Sequence, residues 1–166
     1  MKIGIFSDIH DNLKNLERAL GHFQNAGISQ LIFCGDFCSP IPITALARFH
    51  GVIHAVFGNN DGDRFAMRNK VLHESENIRL HGEYGTLEID RLKISFTHYP
   101  FYGHALAKSG DYDLVCAGHT HKPELVQYDS GIFLNPGDIM GLFDMPTIGI
   151  FDLDKKKGKI LSLEDL

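Results

Sequence analysis

The first half of the chain alternates short apolar runs with amphipathic stretches. Residues 3–6, 31–34 and 52–57 are apolar runs of the length expected for buried strands. Between the first two runs, apolar side chains recur at helical spacing across residues 13–23, and Gly27 follows where a helix would end. A shorter helical stretch precedes the third run. This alternation of strands and helices predicts parallel strands joined by crossover helices.

The pattern changes after a helix predicted around residues 64–71. Three strand candidates then follow one another closely, and polar or glycine-containing turns separate them, so we expect a hairpin-rich second sheet here. A short helix is predicted at residues 106–109. The three closely spaced candidates are residues 78–80, 84–89 and 92–96, and the later ones are 114–117, 125–128, 132–134, 147–153 and 159–161.

The composition is that of an ordinary globular protein. The chain has 166 residues, of which 43% are hydrophobic and 22% charged. No repeat or linker interrupts it, so we expect one α/β domain that spans residues 1–166. No stretch is long and apolar enough to cross a membrane. The chain begins directly with a strand-like run rather than a signal peptide, which predicts a cytoplasmic location.

Charge and cysteine usage exclude some classes of function. The net charge of −5 would repel a polyanion over most of the surface. Cys34, Cys38 and Cys116 are odd in number and lack paired spacing, which argues against a disulfide framework. No second cysteine pair completes a structural zinc site.

Side chains that bind metals follow five of the apolar runs. Open α/β sheets carry their ligand sites at the carboxyl ends of strands, and glycines before several of these side chains permit sharp turns near a ligand. Seven donors are too many for one ion and suit two. Their mixture of imidazole and oxygen atoms suits manganese, iron, zinc, nickel or cobalt better than calcium. The donors are Asp8, His10, Asp36, Asn59, His98, His119 and His121.

The segment Gly118-His119-Thr120-His121 places two imidazoles one residue apart. Residues two apart on an extended chain face the same way, so His119 and His121 are expected to address one small volume. Taken alone, the pair fits two surface histidines as well as it fits a metal site. The other donors shift the balance toward the metal site.

In order and spacing, these residues resemble the calcineurin-like metallophosphoesterases. The compact length is similar to that of their small prokaryotic phosphodiesterase branch (the YfcE type), which is related to the retromer scaffold subunit Vps29. The motifs that carry the resemblance are Asp8-x-His10, Gly35-Asp36, Gly58-Asn59-x-Asp61, His98 and Gly118-His119-Thr120-His121, and Asn135-Pro136-Gly137 extends it.

The resemblance implies the metallo-dependent phosphatase fold, a four-layer αββα sandwich of two mixed β-sheets flanked by helices. It also implies two divalent transition-metal ions, with manganese expected first and nickel, iron, zinc or cobalt as alternatives. Two such ions about 3.5–4 Å apart would hold a bridging hydroxide that attacks phosphorus in line. The predicted activity is that of a dinuclear phosphodiesterase acting on a small phosphodiester or nucleotide. The implied ligands are Asp8, His10, Asp36 and His121 for one ion, and Asp36, Asn59, His98 and His119 for the other.

Two positions depart from the family pattern. Larger relatives place a His after the Gly-Asn pair, assigned to protonating the leaving group, and Asn60 stands here instead. An amide cannot act as a general acid near neutral pH, so activated diesters are expected to be cleaved best. Asp138 stands where the family usually has Ser, and we expect it to cap a turn rather than to serve the site.

Other side chains near the predicted ligands have weaker claims. Asn60 and His104 are candidates for substrate contact, and Asp61 is expected to cap a helix. Nearby aromatic residues would form an apolar lip for a leaving group or would simply pack in the core. These aromatic residues are Phe37, Tyr99, Phe101 and Tyr102.

Two alternatives stand beside the phosphodiesterase. The same site would serve a phosphomonoesterase or a nucleotide pyrophosphatase, and a Vps29-like scaffold would use the fold without catalysis. The presence of all seven donors favours catalysis. The sequence leaves open the physiological substrate, the native metal, the source of the leaving-group proton, and the choice between monomer and homodimer.

Overall fold

The computed structural model describes residues 1–165, which form two β-sheets and four α-helices. The strands are β1 (Lys2–Phe6), β2 (Gln30–Phe33), β3 (Val52–Ala55), β4 (Ile78–Leu80), β5 (Tyr84–Ile89), β6 (Leu92–Thr97), β7 (Leu114–Cys116), β8 (Pro123–Gln127), β9 (Ile132–Pro136), β10 (Thr147–Asp152) and β11 (Lys157–Ser162). The helices are α1 (Leu13–Asn25), α2 (Ile41–Leu46), α3 (Arg64–Glu74) and α4 (Pro100–Ser109), and a 3₁₀ turn covers Leu163–Asp165.

The first sheet has the strand order β11-β10-β1-β2-β3-β4. Strands β1 to β4 are parallel, and Ile5 of β1 lies opposite Ile32 of β2. Strand β10 returns antiparallel to β1 and forms a hairpin with β11. The parallel pairs confirm the crossover pattern that the first half of the sequence predicts.

The second sheet has the order β5-β6-β7-β9-β8. Strands β6, β7 and β9 are parallel, whereas β5 and β8 pair antiparallel at the two edges. The sheet is therefore mixed, as the first one is. The carboxyl ends of its parallel strands lie at one edge, where a ligand site is expected.

Three apolar layers hold the sandwich together. Helices α1 to α3 pack on the outer face of the first sheet, with Leu16 and Phe23 of α1 fully buried there. The two sheets face each other through aliphatic and aromatic side chains such as Ile5 and Phe96. Helix α4 covers the second sheet through Ala107 and Phe133. This layering confirms the predicted αββα sandwich.

Helix α1 shows how local sequence sets the boundaries. The Asn12 side chain accepts a hydrogen bond from the Asn15 N–H (3.1 Å) and caps the first turn. Its buried residues are spaced to form one stripe against the sheet. Gly27 follows the helix with a left-handed φ of +69°, as expected for the residue that ends it.

Two expectations about the elements are corrected. The run at residues 78–80 belongs to the first sheet, because β4 pairs in parallel with β3 and not with the hairpin β5–β6. The helix expected at residues 106–109 begins earlier, at Pro100, whose fixed φ suits a first helical turn. Within residues 1–165, no helix is both long and apolar enough to cross a membrane.

Candidate metal centre

All seven predicted donors lie where the carboxyl ends of parallel strands meet. Strands β1, β2 and β3 lead to Asp8, Asp36 and Asn59, and β6 and β7 of the other sheet lead to His98 and His119. Backbone hydrogen bonds fix these loops together. Asp8 N–H donates to the Gly35 carbonyl (2.9 Å), and Gly118 N–H donates to the His98 carbonyl (3.1 Å).

One group of donors comprises Asp8, His10 and His121, whose donor atoms lie within 4.8 Å of one another. The Nε2 atoms of His10 and His121 lie 3.7 Å and 3.5 Å from Asp8 Oδ1. The Asp8 side chain is fully buried, while the two imidazoles are slightly exposed. An ion held here would be bound by one carboxylate and two neutral imidazoles.

A second group comprises Asp8, Asp36 and His98, again within 4.8 Å. Asp36 Oδ2 lies 3.5 Å from His98 Nε2 and 3.4 Å from His10 Nε2. The Asp36 carboxylate therefore faces both groups of donors at once. This is the position that a ligand shared by two cations needs.

Asn59 and His119 extend the second group toward solvent. Asn59 Oδ1 lies 2.9 Å from His98 Nε2 and 2.8 Å from His119 Nδ1. The two imidazole nitrogens are 3.2 Å apart. Asn59 and His119 are exposed, whereas His98 is fully buried, so the centre opens to solvent on this side.

Two donor atoms of the cluster lack hydrogen-bond partners, which suits them to binding cations. Asp8 Oδ1 and His10 Nε2 are buried and have no hydrogen-bond partner. A buried polar atom without a partner is costly, by about 1–3 kcal/mol and more when it is charged. Both atoms point into the cluster, so divalent cations would satisfy them. Carboxylate and imidazole donors are also the chemistry that transition metals prefer.

The electrostatics favour the anionic carboxylate. Burial alone would raise the pKa of Asp8, but the neighbouring His10 imidazole and the charge of His98 outweigh it and lower this pKa. The pKa of His10 is raised, first by the adjacent Asp8 and against the effect of its own burial. The cluster thus keeps negative charge in a buried place, where an added cation is strongly attracted.

Three of the imidazoles are held by a partner on their other nitrogen. Such contacts fix which nitrogen faces a metal and how the ring is oriented. The His98 Nδ1–H must donate, because its partner is a carbonyl, which leaves Nε2 free to bind. The partners are the Cys34 carbonyl for His98 (2.8 Å), the Cys38 thiol for His10 (3.1 Å) and the Asp138 carboxylate for His121 (3.2 Å).

Asn60 positions the Asp36 carboxylate. Its N–H donates to Asp36 Oδ1 (2.8 Å) and its side-chain amide donates to Asp36 Oδ2 (2.7 Å).

The predicted N-cap role of Asp61 is wrong, because Asp63 caps α3 through the Ala66 N–H (2.8 Å).

The Asp61 carboxylate instead joins two loops of the centre. It accepts the backbone N–H groups of Asp36 (3.2 Å), Cys38 (3.0 Å) and Gly58 (2.7 Å). Buried acceptors of this kind fix the loop that carries Asp36 against the loop that carries Asn59.

Five of the seven donors have a left-handed backbone. Asp8, His10, Asp36, His119 and His121 have φ between +45° and +72°. This region is rarely used by residues other than glycine, and such conformations cluster at functional sites. The sequence pattern suggests that an extended backbone points His119 and His121 into one volume. The structure differs, because the backbone at both residues is left-handed. The left-handed turns send His119 toward Asn59 and His121 toward Asp8.

Sequence reasoning missed the thiol and the turn that orient two imidazoles. Cys38 also has a positive φ (+75°) and stands two residues after Asp36, the spacing that separates Asp8 from His10. That repeated spacing was the available signal. Asp138 both caps its turn, through the Gly141 N–H (2.6 Å), and contacts His121, so the expectation of a turn alone is incomplete.

His104 lies away from the seven donors. Its Nδ1 lies 2.9 Å from the Tyr128 hydroxyl, its Nε2 lies 3.5 Å from Glu124, and its ring stacks on Phe133. Phe37 is fully buried in the layer under α1 to α3, so it packs rather than forming a lip.

The sequence as a whole matches a known family. The model of the calcineurin-like phosphoesterase superfamily domain aligns with residues 1–156. The chain belongs to this superfamily. The resemblance drawn from the motifs is thereby confirmed, and the two-sheet sandwich is the fold expected of a calcineurin-like phosphoesterase.

Relatives of this calcineurin-like phosphoesterase are described as phosphodiesterases. Phosphodiesterase MJ0936 of Methanocaldococcus jannaschii is 39% identical over 99% of this chain and 100% of its own. Phosphodiesterase YfcE of Escherichia coli (strain K12) is 27% identical over 84% of this chain and 79% of its own. A solved structure described as a novel archaeal phosphodiesterase superposes with a TM-score of 0.90 at 36% identity, covering 98% of this chain and 99% of that one.

Asp138 gives a test of how the imidazoles are oriented. One of its oxygens serves His121 and the other serves the turn, so Asp138→Asn leaves only one acceptor for two donors and removes the charge. We expect this variant to bind Mn²⁺ roughly 10–100-fold more weakly, measured by calorimetry. Asp144→Asn, at an exposed carboxylate in the same segment, is the matched control. Unchanged affinity in Asp138→Asn would show that its contact with His121 is incidental.

Proposed function

We propose that this chain is a metal-dependent phosphodiesterase that hydrolyses a small phosphodiester at a dinuclear centre. The proposal assigns Asp8, His10, Asp36 and His121 to one cation, and it gives the second cation to Asp36, Asn59, His98 and His119. Manganese is the first candidate for both positions.

The observation that carries the proposal is the position of Asp36. One of its oxygens lies within 3.5 Å of imidazole nitrogens in both donor groups, His10 and His98. A single mononuclear site would not need a buried carboxylate between two sets of donors. The relatives MJ0936 and YfcE are named phosphodiesterases, which supports phosphodiesters as the substrate class.

The chain's own residues prepare the site in three ways. Asp8 and Asp36 concentrate negative charge that holds cations, and Asn60 fixes the orientation of Asp36. Three imidazoles are oriented by contacts on their Nδ1 atoms, which are made by Cys34, Cys38 and Asp138. Bound divalent cations would supply Lewis-acid chemistry, because they neutralise phosphoryl oxygens and lower the pKa of water.

A metal-by-substrate screen tests this function. Protein stripped with EDTA is reloaded with Mn²⁺, Ni²⁺, Co²⁺, Zn²⁺ or Mg²⁺ and assayed with bis(p-nitrophenyl) phosphate and with p-nitrophenyl phosphate. We expect the diester to be preferred. Preference for the monoester would favour a phosphomonoesterase, and metal binding without any ester cleavage would favour a Vps29-like scaffold.

The residue at the position of the family's general acid leads to a prediction about leaving groups. Asn60 donates its backbone N–H and its side-chain amide to Asp36 and has no acidic proton to give. General acid catalysis contributes typically about 10²–10⁴-fold, so an alkoxide leaving group loses that help here. We expect bis(p-nitrophenyl) phosphate to be cleaved at least about 100-fold faster than a dialkyl phosphate, measured as kcat. Comparable rates for the two diesters would require another proton donor.

Three further statements belong to the same proposal. We take residues 1–166 to act as one domain, and we retain the cytoplasm as the predicted compartment. A homodimer and a monomer are both compatible with the site. Light scattering of the purified protein would decide between them.

A further inference from the structure

A cavity lined by three tyrosines lies beside the metal centre. It has a volume of about 490 Å³ and is lined by Glu83, Tyr84, Thr97, Tyr99 and Tyr102. Small-molecule sites fall in the range of roughly 300–1,000 Å³, and a cavity of about 150 Å³ is enough to hold benzene. The cavity is therefore large enough for a ring-bearing group of a substrate.

Tyr99, which lines the cavity, also contacts two of the proposed ligands. The Tyr99 ring lies edge-on to His98 (5.2 Å between ring centroids) and to His119 (5.4 Å). These two imidazoles belong to the group that opens to solvent. Tyr99 also contacts Tyr102 edge-on (6.2 Å). A phosphate at the centre would thus be one aromatic ring away from the cavity.

Two of the tyrosines that line the cavity have largely solvent-exposed side chains. Tyr84 is 67% exposed and Tyr102 is 57% exposed, although aromatic rings of this size are usually more buried. Tyr84 extends from edge strand β5, and Tyr102 extends from the first turns of α4. Two elements of different type therefore offer aromatic faces to one space. Such faces bind planar rings by stacking with little regard to ring identity.

The charged group in the wall is already paired. Glu83 would repel a phosphate, but its carboxylate lies 3.1 Å from the Arg64 guanidinium. Arg64 also donates to the Gly58 carbonyl (2.9 Å), next to Asn59. The wall between the cavity and the centre thus carries no net charge from this pair, which suits a neutral ring.

We propose that this tyrosine-lined cavity is a subsite that binds a ring-bearing ester group of the substrate by stacking on Tyr84 and Tyr102. The inference rests on the proposed function, because it places the phosphoryl group of the same substrate at the metal centre. It narrows the substrate class to phosphodiesters in which at least one ester group carries an aromatic ring, such as an aryl or nucleobase-containing diester.

The test compares two phosphonates that differ only in the ring. Phenylphosphonate and methylphosphonate cannot be hydrolysed, and their binding to Mn²⁺-loaded protein is measured by calorimetry. We expect the wild type to bind phenylphosphonate about tenfold more tightly. The double variant Tyr84→Ala/Tyr102→Ala should bind the two phosphonates equally, whereas Tyr84→Phe/Tyr102→Phe should keep the preference because it keeps the rings.

Phe101→Ala is the matched control. Phe101 is 81% exposed and adjacent to Tyr102, but it does not line the cavity, so its loss should leave the preference intact. Equal binding by the wild type, or a preference that survives in the double Ala variant, would overturn the subsite. Hydrolysis of bis(p-nitrophenyl) phosphate by the same preparation separates this failure from failure of the proposed function. Absence of binding by both phosphonates would count against both proposals.

Discussion

Replacement of Asp36 by Asn is expected to lower the hydrolysis of bis(p-nitrophenyl) phosphate by roughly 10³-fold. Metal ions at such centres stabilise the transition state by several kcal/mol, and each 1.36 kcal/mol is a factor of ten in rate. Asp36 Oδ2 faces His10 and His98 together, so the change would affect both proposed cation positions. We also expect substoichiometric metal, measured by atomic emission after gel filtration.

The hydrogen bonds of Asp36 explain why an isosteric amide cannot substitute. Both Asp36 oxygens accept from Asn60, through the backbone N–H and the side-chain amide. An Asn at position 36 would place an NH₂ group where one of these oxygens stands, and that nitrogen can neither accept a hydrogen bond nor bind a metal ion. It therefore loses an acceptor as well as the charge.

Folding must be separated from metal loss in this comparison. Thermal unfolding in EDTA should show Asp36→Asn at least as stable as the wild type, because the substitution removes a buried charge. Asp129→Asn, at an exposed carboxylate in a turn, should behave as the wild type in every assay. Full metal content and full activity in Asp36→Asn would exclude Asp36 as the shared ligand.

A two-sheet α/β domain was predictable from hydrophobic periodicity, whereas its arrangement as a four-layer sandwich was implied by the family resemblance. The buried runs that became β1, β2 and β7 are continuous and short, as strands covered on both faces must be. Strand β4 was assigned to the wrong sheet for a physical reason. Its three residues carry too little pattern to specify a partner, and its pairing with Ile53 in β3 depends on the crossover through α3.

The donors were predictable because each follows a strand at the edge where parallel strands end. The contacts between individual donor atoms could not be predicted from the sequence, because the backbone is left-handed rather than extended at Asp8, His10 and Asp36. No pattern of hydrophobicity encodes such turns. They are fixed by contacts made across the fold, such as the hydrogen bond from the His119 N–H to Asp8 Oδ2 (2.9 Å).

The side chains behind the donors were the least accessible to sequence reasoning. Cys38 and Asp61 act through backbone and imidazole contacts that join segments more than twenty positions apart. Asn135 is similar, because its amide donates to the Gly118 carbonyl (2.8 Å) and thereby fixes the His119 loop. These roles are long-range, and only the assembled sandwich reveals them.

Gly118 provides the second large effect, because no side chain fits at this position. A Cβ atom at residue 118 would overlap the Ser7 hydroxyl and would lie 2.5 Å from Asp8 Oδ2, both on the buried loop after β1. Overpacking of this kind costs typically about 1–3 kcal/mol, and we expect the upper end because the Ser7 Cβ, which cannot rotate away, would also lie too close at 2.8 Å. For a chain of this size, about 3 kcal/mol corresponds to a fall in Tm of roughly 6–12 °C.

The same overlap should disrupt the metal centre, since relief of the clash moves either Asp8 or the loop that carries His119 and His121. We therefore expect Gly118→Ala to unfold earlier in EDTA and to gain little stability when Mn²⁺ is added, as measured by calorimetric scans. Gly62→Ala is the matched control, because its Cβ would meet nothing closer than the Cys38 carbonyl at 3.9 Å. Its Tm and its stabilisation by Mn²⁺ should match those of the wild type. An unchanged Tm and unchanged stabilisation by Mn²⁺ in Gly118→Ala would mean that the loops after β1 and β7 can separate freely. The close contact between these loops would then have no role in holding Asp8.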